Sequence, residues 1–296
     1  MLRIGLFLAT NVAVLVLLTI IFQIFGIEQY FYQQGVDINL TGLLIFCAIF
    51  GMAGSLISLL MSKWLAKRGT GCKVIEKPGN QVEQWLVDSV ARLSKKAGIG
   101  MPEVAIFPSP QPNAFATGYS RNNALVAVST GLLDNMRQDE VEAVLVHEIG
   151  HVANGDMLTL SLLQGVLNTF VLFFARIIGI VVDRVVFKND RGHGPGFWIV
   201  TIAAQIILGI LASMIVMWFS RFREYRADIA GAQLTSRNAM INALERLKAG
   251  TQMPDTLPDN LQAFGINQGL RGGLAAMMAS HPPLDMRIQA LKHARL

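Results

Sequence analysis

Four long apolar blocks punctuate the chain, and the polar stretches between them follow shorter periods. Residues 4–25 and 40–61 contain no charged side chain, and each matches the roughly 20 residues that a helix needs to cross a hydrocarbon core. The first is too long for a signal-peptide core and is followed by no small-x-small cleavage site, so it reads as a retained anchor. Residues 197–219 form a third uncharged block. Residues 157–182 are less clean: they contain Gln164 and Asn168, which share one helix face, and Arg176 nearer the far end. Polar groups inside a span face other helices or a wet cavity, because lipid cannot satisfy them. The pattern predicts four transmembrane helices, the last two as a hairpin; a hairpin only partly embedded in the bilayer is the competing reading.

Elsewhere the periods are those of a soluble α+β unit. Residues 81–97 place Val82, Trp85, Leu86 and Val90 at helical spacing. Residues 102–107, 113–119 and 124–128 read as short strands, with a proline-rich turn at 108–112. Residues 138–153 read as a helix with Asp139 and Glu142 as a capping box and Asn154-Gly155 as its stop. A helix is predicted over 224–247, a proline-bearing linker over 254–258, and a terminal helix after Pro282.

The expected architecture is a mainly α integral membrane protein. Two N-terminal transmembrane helices occupy 1–62, a cytoplasmic α+β part 63–156, a transmembrane hairpin 157–219 and a second cytoplasmic part 220–296. Orientation follows from basic residues in the flanks. The loop 26–39 has no Lys or Arg, whereas Lys63, Lys67, Arg68, Lys73 and Lys77 follow the second block and Arg221, Arg223 and Arg226 follow the fourth. Arg184, Lys188 and Arg191 at the hairpin tip run against this trend.

Composition supports the membrane reading: 52% of residues are hydrophobic, 15% are charged and mean hydropathy is +0.45. The net charge of +5 fits basic flanks of spans better than nucleic-acid binding, for which no basic–aromatic interleaving or motif is present. Cys47 and Cys72 lack metal or redox spacing and read as free thiols.

The chemistry is concentrated in His147-Glu148-Ile149-Gly150-His151. Residues four apart on a helix project from one face, so both imidazoles can bind one ion, while Glu148 is placed to take the proton of an attacking water. With five histidines in 296 residues, this spacing arises by chance with a probability on the order of 0.003. Zinc hydrolysis needs two neutral nitrogen ligands, an open position and an adjacent base. A third protein ligand is also required. A metzincin-type histidine is excluded because position 157 is Met157. Asp156, His193, Glu224, Asp228 and His281 are the candidates. Glu224 is favoured: His151 precedes the third apolar block, Glu224 follows the fourth, and two crossings return the chain to the same membrane face. Asp228, four residues on from Glu224, is then placed to orient a ligating histidine.

Several segments resemble the HtpX family of bacterial membrane zinc proteases, relatives of the CAAX prenyl proteases. They are the first anchor, Leu59-Leu-Met-Ser-Lys-Trp64, Asn113-Ala-Phe-Ala-Thr-Gly118, Val126-Ala-Val-Ser-Thr-Gly-Leu-Leu133, His147-Glu-x-x-His151, Trp218-Phe-Ser-Arg221, Glu224-x-x-Ala-Asp228 and His281-Pro-Pro-Leu-Asp-x-Arg287. The resemblance implies a gluzincin-type, heat-shock-linked endopeptidase of the bacterial inner membrane, with its active site in the cytoplasm and one Zn2+ per subunit. It makes His147, His151 and Glu224 the ligands and Glu148 the base. By analogy it gives His281 a part in oxyanion stabilisation and Arg287 a supporting place near Asp228. An edge strand beginning at Asn113, Ala114 and Phe115 would hold the substrate backbone. Misfolded membrane proteins or unfolded polypeptides are the expected substrates, with the lipid bilayer as the other partner. The rivals are a CAAX-type protease acting on prenylated peptides, a membrane chaperone or scaffold that binds without cutting, and a small transporter supported only by Gln164 and Asn168.

Overall fold

A computed structural model describes residues 2–33, 35–189, 193–250 and 279–295, with residues 2–11 by backbone alone. The predicted linker at 254–258 lies outside these residues. Two compact units emerge, one formed by 1–57 and 161–214, the other by 58–160 and 215–296.

In the first unit the apolar blocks are helical: α1 (Leu2–Ile24), α2 (Ile27–Gln33), most of α3 (Leu40–Thr70), and parts of α7 (Asp156–Val185) and α8 (Pro195–Leu234). Helices α3, α7 and α8 are long and apolar enough to cross a membrane, and Val12–Ile24 with Ile27–Gln33 makes a further span only when this pair, bent by 49°, is counted as one. The apolar side chains of Ile45, Ile49, Ile202, Ile206 and Ile207 point outward, the arrangement expected where lipid replaces water.

Small residues let these helices touch. A Cβ on Gly51 would lie 2.6 Å from the Thr169 backbone nitrogen, and one on Gly165 would lie 2.6 Å from Ser55 Oγ; such close approach is how helices associate in lipid. Ser161 Oγ donates to the Ser55 carbonyl at 2.8 Å. Gln164 Nε2 donates to Asn168 Oδ1 at 2.9 Å, so these two polar side chains partner each other along one helix face. At the hairpin tip the buried Asp183 carboxylate accepts from Asn189 Nδ2 and from the backbone N–H groups of Gly194 and Phe197.

The second unit is a small sheet with helices. Strands β1 (Lys73–Val74), β2 (Glu103–Phe107), β3 (Ala114–Ser120) and β4 (Asn123–Ser129) lie in the order β1-β2-β4-β3, with β2 parallel to β4 and the other pairs antiparallel. Around it lie α4 (Gln81–Ala97), α5 (Thr130–Asn135), α6 (Gln138–Asn154), α9 (Arg237–Gly250) and α10 (Leu284–His293). Leu86 and Val90 of α4, Val144 and Leu145 of α6, Val126 of β4, Met240 and Leu244 of α9 and Leu291 of α10 share one core. On another face of the sheet, Ala66 from the last turns of α3 meets Phe107 and Phe115.

Two local expectations are corrected. The capping interaction of α6 belongs to Glu140, whose Oε2 accepts from the Arg137 N–H at 2.9 Å, and not to Asp139 with Glu142. The helix begins at Gln138, which puts Glu140 at the third position, where a side chain reaches back to the cap. The predicted helix over 224–247 is two helices. Ser236 Oγ accepts from the Ala239 N–H at 3.0 Å, ending the continuation of α8 and starting α9 afresh.

Candidate metal centre

Helix α6 supplies the first half of the site. Val144, Leu145, Ile149 and Val152 anchor it in the core, which turns His147 and His151 toward α8. The chain leaves α6 through Gly155 at φ 69°, whose N–H returns to the His151 and Val152 carbonyls. That left-handed turn favours glycine. Helix α8 supplies the other half: it continues past its apolar segment without a break and presents Glu224 and, one turn on, Asp228.

The convergence is tight. Nε2 of His147 and Nε2 of His151 lie 3.2 Å apart. Glu224 Oε2 is 3.2 Å from the first and Glu224 Oε1 is 3.2 Å from the second. Two donors each 2.0–2.1 Å from a tetrahedral zinc would be about 3.3 Å apart, so the spacing of all three groups fits that ion. His147, Glu148 and Glu224 are buried and His151 nearly so.

Behind each imidazole stands a carboxylate with an arginine. Asp156 Oδ2 accepts from His151 Nδ1 at 2.7 Å and lies 3.3 Å from an Arg223 guanidinium nitrogen. Asp228 Oδ1 is 3.0 Å from His147 Nδ1, a close contact that falls short of the alignment of a full hydrogen bond. Arg287, fully buried, donates to both oxygens of Asp228 at 2.8 and 2.6 Å. His281 Nδ1 lies 2.7 Å from Glu224 Oε2, and among the described residues its Nε2 has no hydrogen-bond partner.

Charge makes a second, independent test of fit. Among the described residues, Glu148, Asp156, Glu224 and Asp228 are met by two permanent cations, Arg223 and Arg287. Four carboxylates against two guanidiniums leave room for a divalent cation, and buried charges persist only when compensated. The histidines register the same surplus. Burial disfavours charge on His151, yet Glu224 and the bond to Asp156 outweigh it and hold its pKa up at about 10. Burial likewise works against His147, and Asp228 with Glu224 overcomes it to raise its pKa. Burial raises the Glu148 carboxyl above its ordinary value, which favours a proton acceptor.

The residues singled out in the sequence are distributed as follows. His147, Glu148, His151, Glu224, Asp228, His281 and Arg287 belong to one cluster. His193 instead packs its ring on Phe197, centroids 4.1 Å apart. Asn113, Ala114 and Phe115 lead into β3, an edge strand in the sheet order, and all three are buried. The Ser129 hydroxyl accepts the Asn113 N–H at 2.9 Å, and Asn113 Oδ1 accepts the Ala114 N–H at 2.9 Å. Arg223, read in the sequence as one of the basic residues flanking the fourth apolar block, stands instead beside Asp156; its position next to Glu224 is the signal for a place at the site. Asp156, weighed as a ligand, sits on the outer nitrogen of His151.

A pair of histidines and a glutamate gathered at metal-binding distance on helices of a chain with three membrane-length apolar helices define a membrane metallopeptidase. Residues 80–295 match the model of Peptidase family M48, and the chain belongs to that family. It is 62% identical over 291 residues to the Protease HtpX of Hahella chejuensis, covering 98% of this chain and 99% of that one. To the Protease HtpX of Thioalkalivibrio sulfidiphilus it is 60% identical over 290 residues, covering 98% of each. The fold is similar to the crystal structure of S. mikatae Ste24p, with a TM-score of 0.59 and 19% identity over 93% of this chain and 64% of that chain. The present chain therefore spans less than two thirds of Ste24p. It is a metalloprotease that hydrolyses peptide bonds.

Proposed function

We propose that the chain is a zinc-dependent endopeptidase of the bacterial inner membrane that degrades misfolded or damaged membrane proteins from the cytoplasmic side. The observation that carries this reading is the meeting of two imidazole Nε2 atoms and both Glu224 oxygens at 3.2 Å. His147, His151 and Glu224 would hold one zinc per subunit. When bound, the ion supplies Lewis acidity toward the scissile carbonyl and the attacking water. Glu148 accepts that water's proton and delivers it to the leaving amine nitrogen. His281 offers its free Nε2 to the carbonyl oxygen as negative charge develops there. Asp228, fixed by Arg287, keeps His147 turned toward the ion. A substrate strand adds to the edge of β3 near Asn113, Ala114 and Phe115.

The membrane part of the reading rests on four spans, with the bent pair of α1 and α2 counted as one, and on Lys63, Lys67, Arg68, Lys73 and Lys77 following α3's apolar stretch. The direct succession of α6 by α7 supports a zinc site near the cytoplasmic surface of the bilayer, within reach of loops and tails of membrane proteins. Purified in detergent with zinc, the protein is expected to cleave an unfolded polypeptide and itself, and Glu148→Gln to lose at least about a hundredfold of that rate while retaining zinc. Equal cleavage by the variant, or none by the zinc-loaded parent, refutes the hydrolytic assignment. The latter result would favour a chaperone.

A further inference from the structure

The two ligating histidines are not supported alike, and the difference points to Asp156. Each has a carboxylate at Nδ1 and an arginine behind it, but the Asp228 contact to His147 is misaligned whereas Asp156 Oδ2 makes a 2.7 Å hydrogen bond to His151 Nδ1. A carboxylate only accepts, so this bond keeps a hydrogen on Nδ1 and makes Nε2, the nitrogen facing Glu224 and His147, the one that gives up its proton to a bound metal. Asp156 can do this because Gly155 turns the chain back at the end of α6. The carboxylate is nearly buried, at 14% exposure, and the Arg223 guanidinium, at 11%, forms an ion pair with it at 3.3 Å that falls short of a hydrogen bond. Arg223 in turn precedes Glu224 on α8, so the strut Arg223–Asp156–His151 ties the end of α6 to the helix that carries the third ligand.

We infer that Asp156 is a positioning residue that locks His151 in its metal-binding tautomer and orientation, and that Arg223 acts through Asp156 by holding its carboxylate in place. This rests on the zinc reading of the cluster. His147 gains rigidity from its own burial and from the Arg287–Asp228 pair. His151 lies at the end of its helix and is partly exposed, at 12%, so it depends more on one hydrogen bond.

Zinc affinity is the decisive measurement, made by chelator competition on the full chain in detergent. A Glu148→Gln background removes self-cleavage from the readout. Asp156→Ala is expected to weaken zinc binding by about 10- to 100-fold, with the melting of the metal-free chain unchanged and the absorption bands of a cobalt-substituted sample shifted. Asp156→Asn, which keeps an acceptor but loses the charge, should show a smaller loss, and it carries the test if the alanine variant fails to fold. Arg223→Gln should weaken zinc less than Asp156→Ala and add nothing to it in the double variant. Affinity within about twofold of the parent for both Asp156 variants would overturn the inference, and additive losses would overturn the part given to Arg223. A parent that binds no zinc, or binds it equally after His151→Ala, would instead defeat the underlying metal assignment.

Discussion

Arg287 is the residue on which the rigidity of the site turns. It is fully buried among carboxylates, with both its Nε and one terminal nitrogen on Asp228 and another nitrogen 3.4 Å from Glu224. Burial alone would disfavour its charge, but Asp228 and Glu224 raise its pKa further, so it remains a permanent cation. Arg287→Ala leaves Asp228 charged and unpaired in the interior and should cost about 3–5 kcal/mol, read as a lowered unfolding midpoint with loss of zinc. Arg287→Lys should not recover the parent, because an ammonium cannot reproduce the paired geometry. The carboxylate surplus also predicts a response to chelation. Stripping zinc should abolish peptidase activity and lower the melting temperature, and adding zinc back should restore both. An unchanged melt would show that the acids are compensated without the ion.

At the level of elements, the link between α3 and the sheet is electrostatic as well as apolar. Lys63 Nζ donates to Glu103 Oε1 at 2.8 Å and to Asn123 Oδ1 at 2.6 Å, and Lys67 pairs with the other Glu103 oxygen. Burial tends to raise the Glu103 carboxyl, but the two lysines outweigh it and hold it below its ordinary value. A depressed folded pKa means a stabilising contribution that is complete at neutral pH. It disappears as pH falls through the carboxylate range to the folded value. The difference in unfolding midpoint between the parent and Glu103→Gln should therefore shrink as the buffer is taken from neutral toward acid. A gap that widens instead would reverse the assigned sign. Its size at neutral pH should be modest, because the carboxylate is partly solvated.

For the whole molecule, the test is topological. If α7 and α8 form a crossing hairpin, Lys188→Cys in a cysteine-free background should react with an impermeant thiol reagent only from the periplasmic side. Labelling only from the cytoplasm would deny the two crossings. Much of the architecture was legible from patterning alone. The helix at 81–97 and the strand centred on Ala124–Val128 follow from period and turn residues, and both appear in the structure at nearly those bounds. Less legible were interactions set by a few atoms. Glu140 caps α6 in place of the expected pair, and a serine hydroxyl at Ser236 divides what reads as one helix. Both depend on where the backbone starts its first turn, a difference of one or two residues that hydrophobic periodicity does not resolve.

The sequence by itself determined that two imidazoles and a glutamate share one helix. A period of 3.6 residues leaves residues four apart no choice but to face the same way. It also determined that the blocks at 40–61, 157–182 and 197–219 are apolar enough to cross a membrane, because hydrocarbon thickness sets a length that can be counted. Among Asp156, His193, Glu224, Asp228 and His281 the sequence favoured Glu224 as third ligand only by counting membrane crossings, with no contact to fix it. Only the tertiary structure decided that Glu224 meets both Nε2 atoms, that Asp156 and Asp228 stand at the outer nitrogens, that His281 lies against Glu224, and that His193 packs on Phe197. The reason is geometric: spacing within a helix is fixed by its own hydrogen bonds, whereas the meeting of α6 with α8 and α10 is fixed by a core to which all of them contribute.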